Sequence, residues 1–207
     1  MSKPSTREQL LACARCLFNE RGYSNVTIRM LANEAGIGIG NVTYYFAHKQ
    51  DIVTALMEDA FDQTRIEGKI TQLEQLTDMF SRMLDTLTRH TFFFLDPEFA
   101  QDERHRSHNE YLRNRLRSAL DDLTDAEFFL PAFSPEIREA LLNLLLMTHL
   151  TWLRQCMRTT PFRAMSKASL LRAHWLVFAP YLSDKGLTAL EHMKKRPPLV
   201  EERLTDA

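Results

Sequence analysis

Apolar residues recur at helical spacing along almost the whole chain, and no stretch alternates convincingly as a strand does. Leu10, Cys13, Ala14, Leu17 and Phe18 form one stripe at i, i+3/i+4 spacing. That stripe predicts a first helix from about Ser5 to Arg21, ended by Gly22. From Thr27 to Phe46 the chain reads TIRMLANEAGIGIGNVTYYF, two short helices around a glycine turn. Thr27 can cap the first of these, with Leu31, Ala32 and Ala35 as its small apolar face. Gly36 stops it, because a helix end needs a left-handed residue. Gly38, Gly40, Asn41, Thr43, Tyr44 and Tyr45 fill the second. A surface helix of glycines and tyrosines with few charges makes sense if it lies against another molecule. A helix-turn-helix that reads DNA is built this way.

A fourth helix is expected from near His48 to about Arg65, with Asp51 reaching back to its first amides as in a capping box. Gly68 marks its end or a bend. The apolar stripe Leu73, Leu76, Met79, Phe80, Met83, Leu84 and Leu87 runs on into Thr91-Phe92-Phe93-Phe94-Leu95 and breaks at Pro97. A charged helix follows from about Asp102 to Leu123, and Ser134-Pro135-Glu136 is a strong helix start. Residues 137–157 are apolar nearly all round, and 170–182 are similar, so these helices must be buried on more than one face. One face packs on the core and another meets a second subunit, which places a homodimer contact on helices near 135–157 and 167–182. A charge at Leu145 or Phe178 is expected to break that contact or the fold. The polar stretch 196–207 reads as a loose tail. The fold class is all-α, divided into a helix-turn-helix domain over 1–50, a helical effector-binding and dimerisation domain over 51–195, and the tail.

Composition adds little, but charge distribution adds something. The chain of 207 residues carries a net charge of −1, while residues 1–50 hold six basic side chains against three acidic ones. A basic end on an acidic body suits one-sided contact with a polyanion. No apolar run approaches the roughly 20 residues that span a bilayer. The N-terminus lacks a signal-peptide core, and three cysteines form no disulfide framework, so a cytoplasmic setting is expected.

Several residue groups could carry chemistry. Met79, Phe80, Met83, Phe92, Phe93, Phe99, Met147 and Trp152 are of the type that lines an apolar effector cavity, although a plain core uses the same residues. His149 and His174, alone on apolar helices, read as core or interface histidines or as groups that orient a ligand. Cys13-Ala14-Arg15-Cys16 reads as helix packing rather than redox chemistry. Glu103, His105, His108 and Glu110 read as a solvated face rather than a metal site. No cofactor and no metal is expected. The chain lacks a nucleophile–base signature and a phosphate-binding glycine loop, so an enzyme is the lesser alternative.

Residues 5–60 resemble the N-terminal domain of the TetR family of bacterial transcriptional regulators. The resemblance rests on Phe18…Arg21-Gly22-Tyr23, Thr27-Ile28-Arg29…Leu31-Ala32, Ala35-Gly36-Ile37, Gly40, Tyr45-Phe46 and Lys49…Asp51-Ile52. It implies a homodimer whose two heads insert their third helices into a pseudo-palindromic operator in double-stranded DNA. It also implies a small-molecule effector site in each body. By position, Thr27, Tyr45 and Lys49 should meet phosphates, and Arg29, Asn41, Thr43 and Tyr44 should face base edges or the sugar-phosphate wall, beside Gly40. The side-chain chemistry agrees: hydroxyls and lysine hold phosphate, arginine pairs with guanine, asparagine with adenine, and a threonine methyl touches thymine. Two positions depart from the family, Thr43 standing where an aromatic is usual and Gly38 where a serine-like cap is common. The resulting expectation is a dimeric repressor released from DNA by an apolar or amphipathic ligand. The alternative is a DNA-binding regulator with no small-molecule effector.

Overall fold

The computed structural model describes residues 4–157, 165–196 and 198–199. Most of the tail expected from 196 onward lies outside the described residues. Among them the chain forms ten α-helices and no strand, with one isolated bridge between Phe129 and Leu182. No described helix is long and apolar enough to cross a membrane.

The helix ends follow local chemistry. α1 (Thr6–Arg21) opens on a reciprocal capping box: the Glu8 amide donates to Ser5 Oγ at 3.2 Å, and the Ser5 amide donates to Glu8 Oε2 at 2.7 Å. It closes at Gly22, whose φ of 76° suits glycine. α2 (Ile28–Glu34) is capped by Thr27 Oγ1, which accepts from the Met30 amide at 3.3 Å. α3 (Ile39–Tyr45) starts after Gly38 with no side-chain cap. α4 (Lys49–Thr64) starts with the His48 amide donating to Asp51 Oδ2 at 2.8 Å. α5 (Leu73–Arg89) and α6 (Thr91–Leu95) are separate helices, because the backbone leaves helical geometry at His90. A 3-10 turn at Pro97–Phe99 precedes α7 (Glu103–Asp125). Then come α8 (Pro135–Cys156), α9 (Lys167–Phe178) and α10 (Asp184–Met193).

The chain divides into two compact units, Met1–Arg65 with Thr86–Asp102, and Ile66–Asp85 with Glu103–Ala207. The division expected at residue 50 follows the end of the helix-turn-helix. Packing assigns more to the first unit, because Ile52, Val53, Leu56, Met57 and Ala60 of α4 and Phe92, Phe93 and Phe99 share one core with Leu10, Phe18, Leu31 and Val42. Within the second unit, α8 turns Leu142, Leu145, His149, Trp152 and Leu153 inward. It leaves Leu144, Met147 and Leu150 exposed. α9 buries Leu170, Leu171, His174, Trp175 and Phe178 and exposes Leu176 and Val177. Leu145 and Phe178 are therefore core residues, and the apolar surface of these helices belongs to their neighbours in sequence.

Candidate nucleic-acid interface

The turn between α2 and α3 is held by its own backbone. Gly36 takes a φ of 66°, and the Ile37 amide donates to the Ala32 carbonyl at 3.0 Å. α3 is anchored by fully buried Val42, with Phe46 buried just beyond its end. Everything else on this helix faces outward: Ile39, Gly40, Asn41, Thr43, Tyr44 and Tyr45 are exposed, Tyr44 to 82%. The Tyr44 and Tyr45 rings meet edge to face at 5.1 Å. Thr43 donates its hydroxyl hydrogen back to the helix, with Gly40 O at 3.1 Å and Ile39 O at 3.3 Å. Thr27 and Arg29 are exposed at the start of α2.

Lys49 stands apart from the other expected DNA contacts. Its ammonium donates to the carbonyls of Tyr23 at 2.9 Å and Val26 at 3.0 Å, and it lies 3.8 Å from the centre of the Tyr23 ring. Burial draws its pKa below the ordinary lysine value, against the opposing pull of Glu98 and Asp96. The Tyr23 hydroxyl in turn donates to Gln50 Oε1 at 2.9 Å. Lys49 thus ties the α1–α2 turn to α4. Arg7, which the pattern does not single out, stacks over Phe46 with its guanidinium 5.3 Å from the ring centre. It brings an exposed cation to the C-terminal end of α3, a placement that only tertiary packing reveals.

Residues 86–102 brace the same unit. Asn19 Oδ1 accepts from Thr91 Oγ1 at 2.9 Å and from the Phe92 amide at 3.1 Å, while its amide nitrogen donates to Arg89 O at 2.9 Å. Asp96 Oδ2 accepts from the Tyr23 amide at 3.2 Å, and Ser24 donates to Glu98 Oε2 at 2.7 Å. Phe92 meets Phe18 at 5.2 Å, and Phe99 meets Tyr23 at 5.1 Å.

The expected effector-lining set divides between the two units. Phe92, Phe93 and Phe99 fill the core of the first unit. Met79, Phe80, Met83 and Trp152 are buried in the second, where Trp152 Nε1 donates to Met165 O at 2.7 Å. Met147 is 70% exposed. The aromatic run looks continuous with the α5 stripe in sequence, but the break at His90 puts it to use as filling for the first unit. A groove of about 360 Å³ does open between α7 and α8. Its walls are largely charged, however, with Arg117 paired to Glu139 and Arg138 paired to Asp121. Hydrogen bonds from Arg117 lead the effects that hold the Glu139 carboxyl below its usual range. The cysteines are free thiols. Among the described residues no set of three histidine, cysteine or acidic side chains could hold a metal ion.

Residues 10–56 match the sequence profile of bacterial regulatory proteins, tetR family. By this match, residues 10–56 are a domain of the TetR-family type. TetR-family proteins are transcriptional regulators rather than enzymes. The repressor KstR2 of Mycolicibacterium smegmatis is 29% identical over 89 residues, 40% of this chain and 43% of that one. The chain thus spans less than half the length of the curated relatives it matches first. A TetR-family regulator of Marinobacter aquaeolei VT8 shares the fold over 93% of this chain and 98% of its own, with a TM-score of 0.70 at 23% identity. SmeT in its complex with triclosan shares it over 87% of this chain and 93% of its own, at a TM-score of 0.60 and 19% identity. The TetR-family head and the all-α body are therefore both present.

Proposed function

We propose that this protein is a dimeric DNA-binding transcriptional regulator, a repressor released from its operator by a small apolar or amphipathic ligand. The observation that carries the reading is α3, a helix held by one buried valine and bare along the rest of its surface. Such a helix is free to enter a major groove while α2 crosses the backbone. Asn41, Thr43, Tyr44 and Arg29 read base edges or the groove wall, Gly40 allows close approach, and Thr27 and Tyr45 meet phosphates. Arg7 joins them as a phosphate contact. Lys49 contributes chiefly by holding the α1–α2 turn in place.

A palindromic site needs two heads, and the exposed apolar residues Leu144, Met147 and Leu150 of α8 and Leu176 and Val177 of α9 supply surface for a second copy. Release by a ligand is supported by SmeT, a structural neighbour crystallised with triclosan. The chain passes between its two compact units three times, once inside α5, so a change in the second unit has covalent routes to the first.

The test is fluorescence anisotropy with double-stranded DNA from upstream of the protein's own gene, against random DNA of equal length. Specific binding at least about 10³-fold tighter is expected, falling steeply between about 50 and 200 mM salt. Equal, salt-insensitive binding to both DNAs would remove the reading.

A further inference from the structure

Inside the second unit, two histidines from adjacent helices of the chain lie against each other. The His149 and His174 ring centres are 4.9 Å apart, and Phe80 of α5 packs on both, 5.9 Å from His149 and 5.0 Å from His174. Each histidine is 2% exposed. None of their four ring nitrogens has a hydrogen-bond partner among the described residues. Other polar groups nearby are satisfied: Trp175 Nε1 donates to Thr77 Oγ1 at 2.9 Å, and Thr77 donates to Leu73 O at 3.1 Å. A buried, unpaired polar atom costs stability, and four of them at one point need a reason.

We propose that His149 and His174 form the polar end of an effector site for an apolar compound bearing one uncharged hydroxyl, a phenol or an alcohol. The inference rests on the ligand-released regulator reading above. A neutral imidazole offers one N–H donor and one acceptor nitrogen. A hydroxyl between two such rings accepts from one and donates to the other, and no charge is buried. Burial holds both rings neutral, His149 to a pKa of about 3 with His174 adding to the effect, and His174 to about 4. Two neutral rings offer no charge to pair with an anion, and no third histidine, cysteine or carboxylate joins them among the described residues to make a metal site. The rest of such a ligand would lie among apolar side chains. Met79 and Met83, buried beside Phe80 on α5, have the unbranched shape that gives way to a guest.

The experiment uses the full chain. Phenol, 4-alkylphenols graded in chain length, and 1-naphthol are each compared with the carboxylate and the hydrocarbon of the same skeleton. Thermal melts and calorimetric titration read binding. At least one hydroxyl compound should raise Tm, and its carboxylate and hydrocarbon counterparts should bind at least about tenfold more weakly, one lost hydrogen-bonded contact. His149→Leu and His174→Leu should lose that preference while melting about 2–4 °C higher, since each removes unpaired polar atoms. His149→Gln retains a donor and an acceptor and should recover part of the affinity. The proposal is overturned if no hydroxyl compound binds, if the carboxylate binds as well, or if both leucine variants bind with wild-type affinity. Anisotropy with upstream DNA, run on the same samples, separates the two readings. DNA binding without hydroxyl binding removes the site and leaves the regulator. Hydroxyl binding that leaves DNA affinity unchanged keeps the site and removes the switch.

Discussion

Side chains on α3 differ in what each has left to offer a base pair. Thr43 spends its hydroxyl hydrogen on Ile39 and Gly40, so it presents a methyl and an acceptor oxygen. That suits a thymine methyl. Asn41 presents both amide donors and an acceptor. We expect Asn41→Ala and Thr43→Ala each to lose about 1–3 kcal/mol of discrimination between operator and random DNA, measured by anisotropy on single-base operator variants. Thr43→Val, which retains the methyl, should cost less. Uniform weakening on every sequence would mean that these residues position rather than specify. Lys49→Ala should lower Tm and DNA affinity but leave the salt slope unchanged, because its ammonium serves the Tyr23 and Val26 carbonyls. Arg7→Ala should flatten that slope by about 0.9. The reverse pattern would exchange their roles. His174 carries its own signature. Its folded pKa of about 4 lies below the ordinary 6.5, so the unfolded chain binds a proton that the folded one refuses. Stability should therefore fall as pH drops from 6.5 towards 4, by on the order of 3 kcal/mol from this residue. Melts across that range should be shallower for His174→Leu than for wild type.

Helices with caps and strong stripes were legible from sequence at the level of elements. Ser5, Thr27, Asp51 and Ser134 mark their starts because capping is local chemistry. α10 was not read, although Ser183 caps it by accepting from the Gly186 amide at 3.2 Å. A glycine in the first turn hides the signal, and its reason is tertiary: a Cβ there would lie 2.3 Å from Phe128 O. We expect Gly186→Ala to destabilise the protein by roughly 1–3 kcal/mol, the ordinary cost of overpacking, visible as a lower Tm. An unchanged Tm would mean that the Phe128 loop yields freely. Which side of α8 faces inward was also hidden, since Leu144 and Leu145 are identical as letters. Only the packing of the folded chain distinguishes them, burying Leu145 and leaving Leu144 exposed. The aromatic run at 92–94 misled for the same reason, its chemistry fitting a cavity wall and a core alike.

For the whole molecule, oligomeric state follows from that distinction. Leu144→Glu, Met147→Glu and Leu176→Glu alter exposed apolar positions, Leu176 being 69% exposed, and should give soluble monomers with lost operator affinity. Leu145→Glu and Phe178→Glu bury a charge and should give insoluble protein. Sedimentation velocity separates the outcomes, and a wild-type monomer at micromolar concentration would dismiss the dimer. The bracing of the first unit by Asn19 and Asp96 has a bearing on protein engineering. Recombining regulators by exchanging heads assumes that the reading domain is one continuous segment. Here a cut at 50 or 65 would strip Phe18 and Tyr23 of the rings of Phe92 and Phe99, and Asn19 of all three of its hydrogen-bonding partners. A chimera that inherits this specificity must take residues 86–102 from the same parent as residues 4–65.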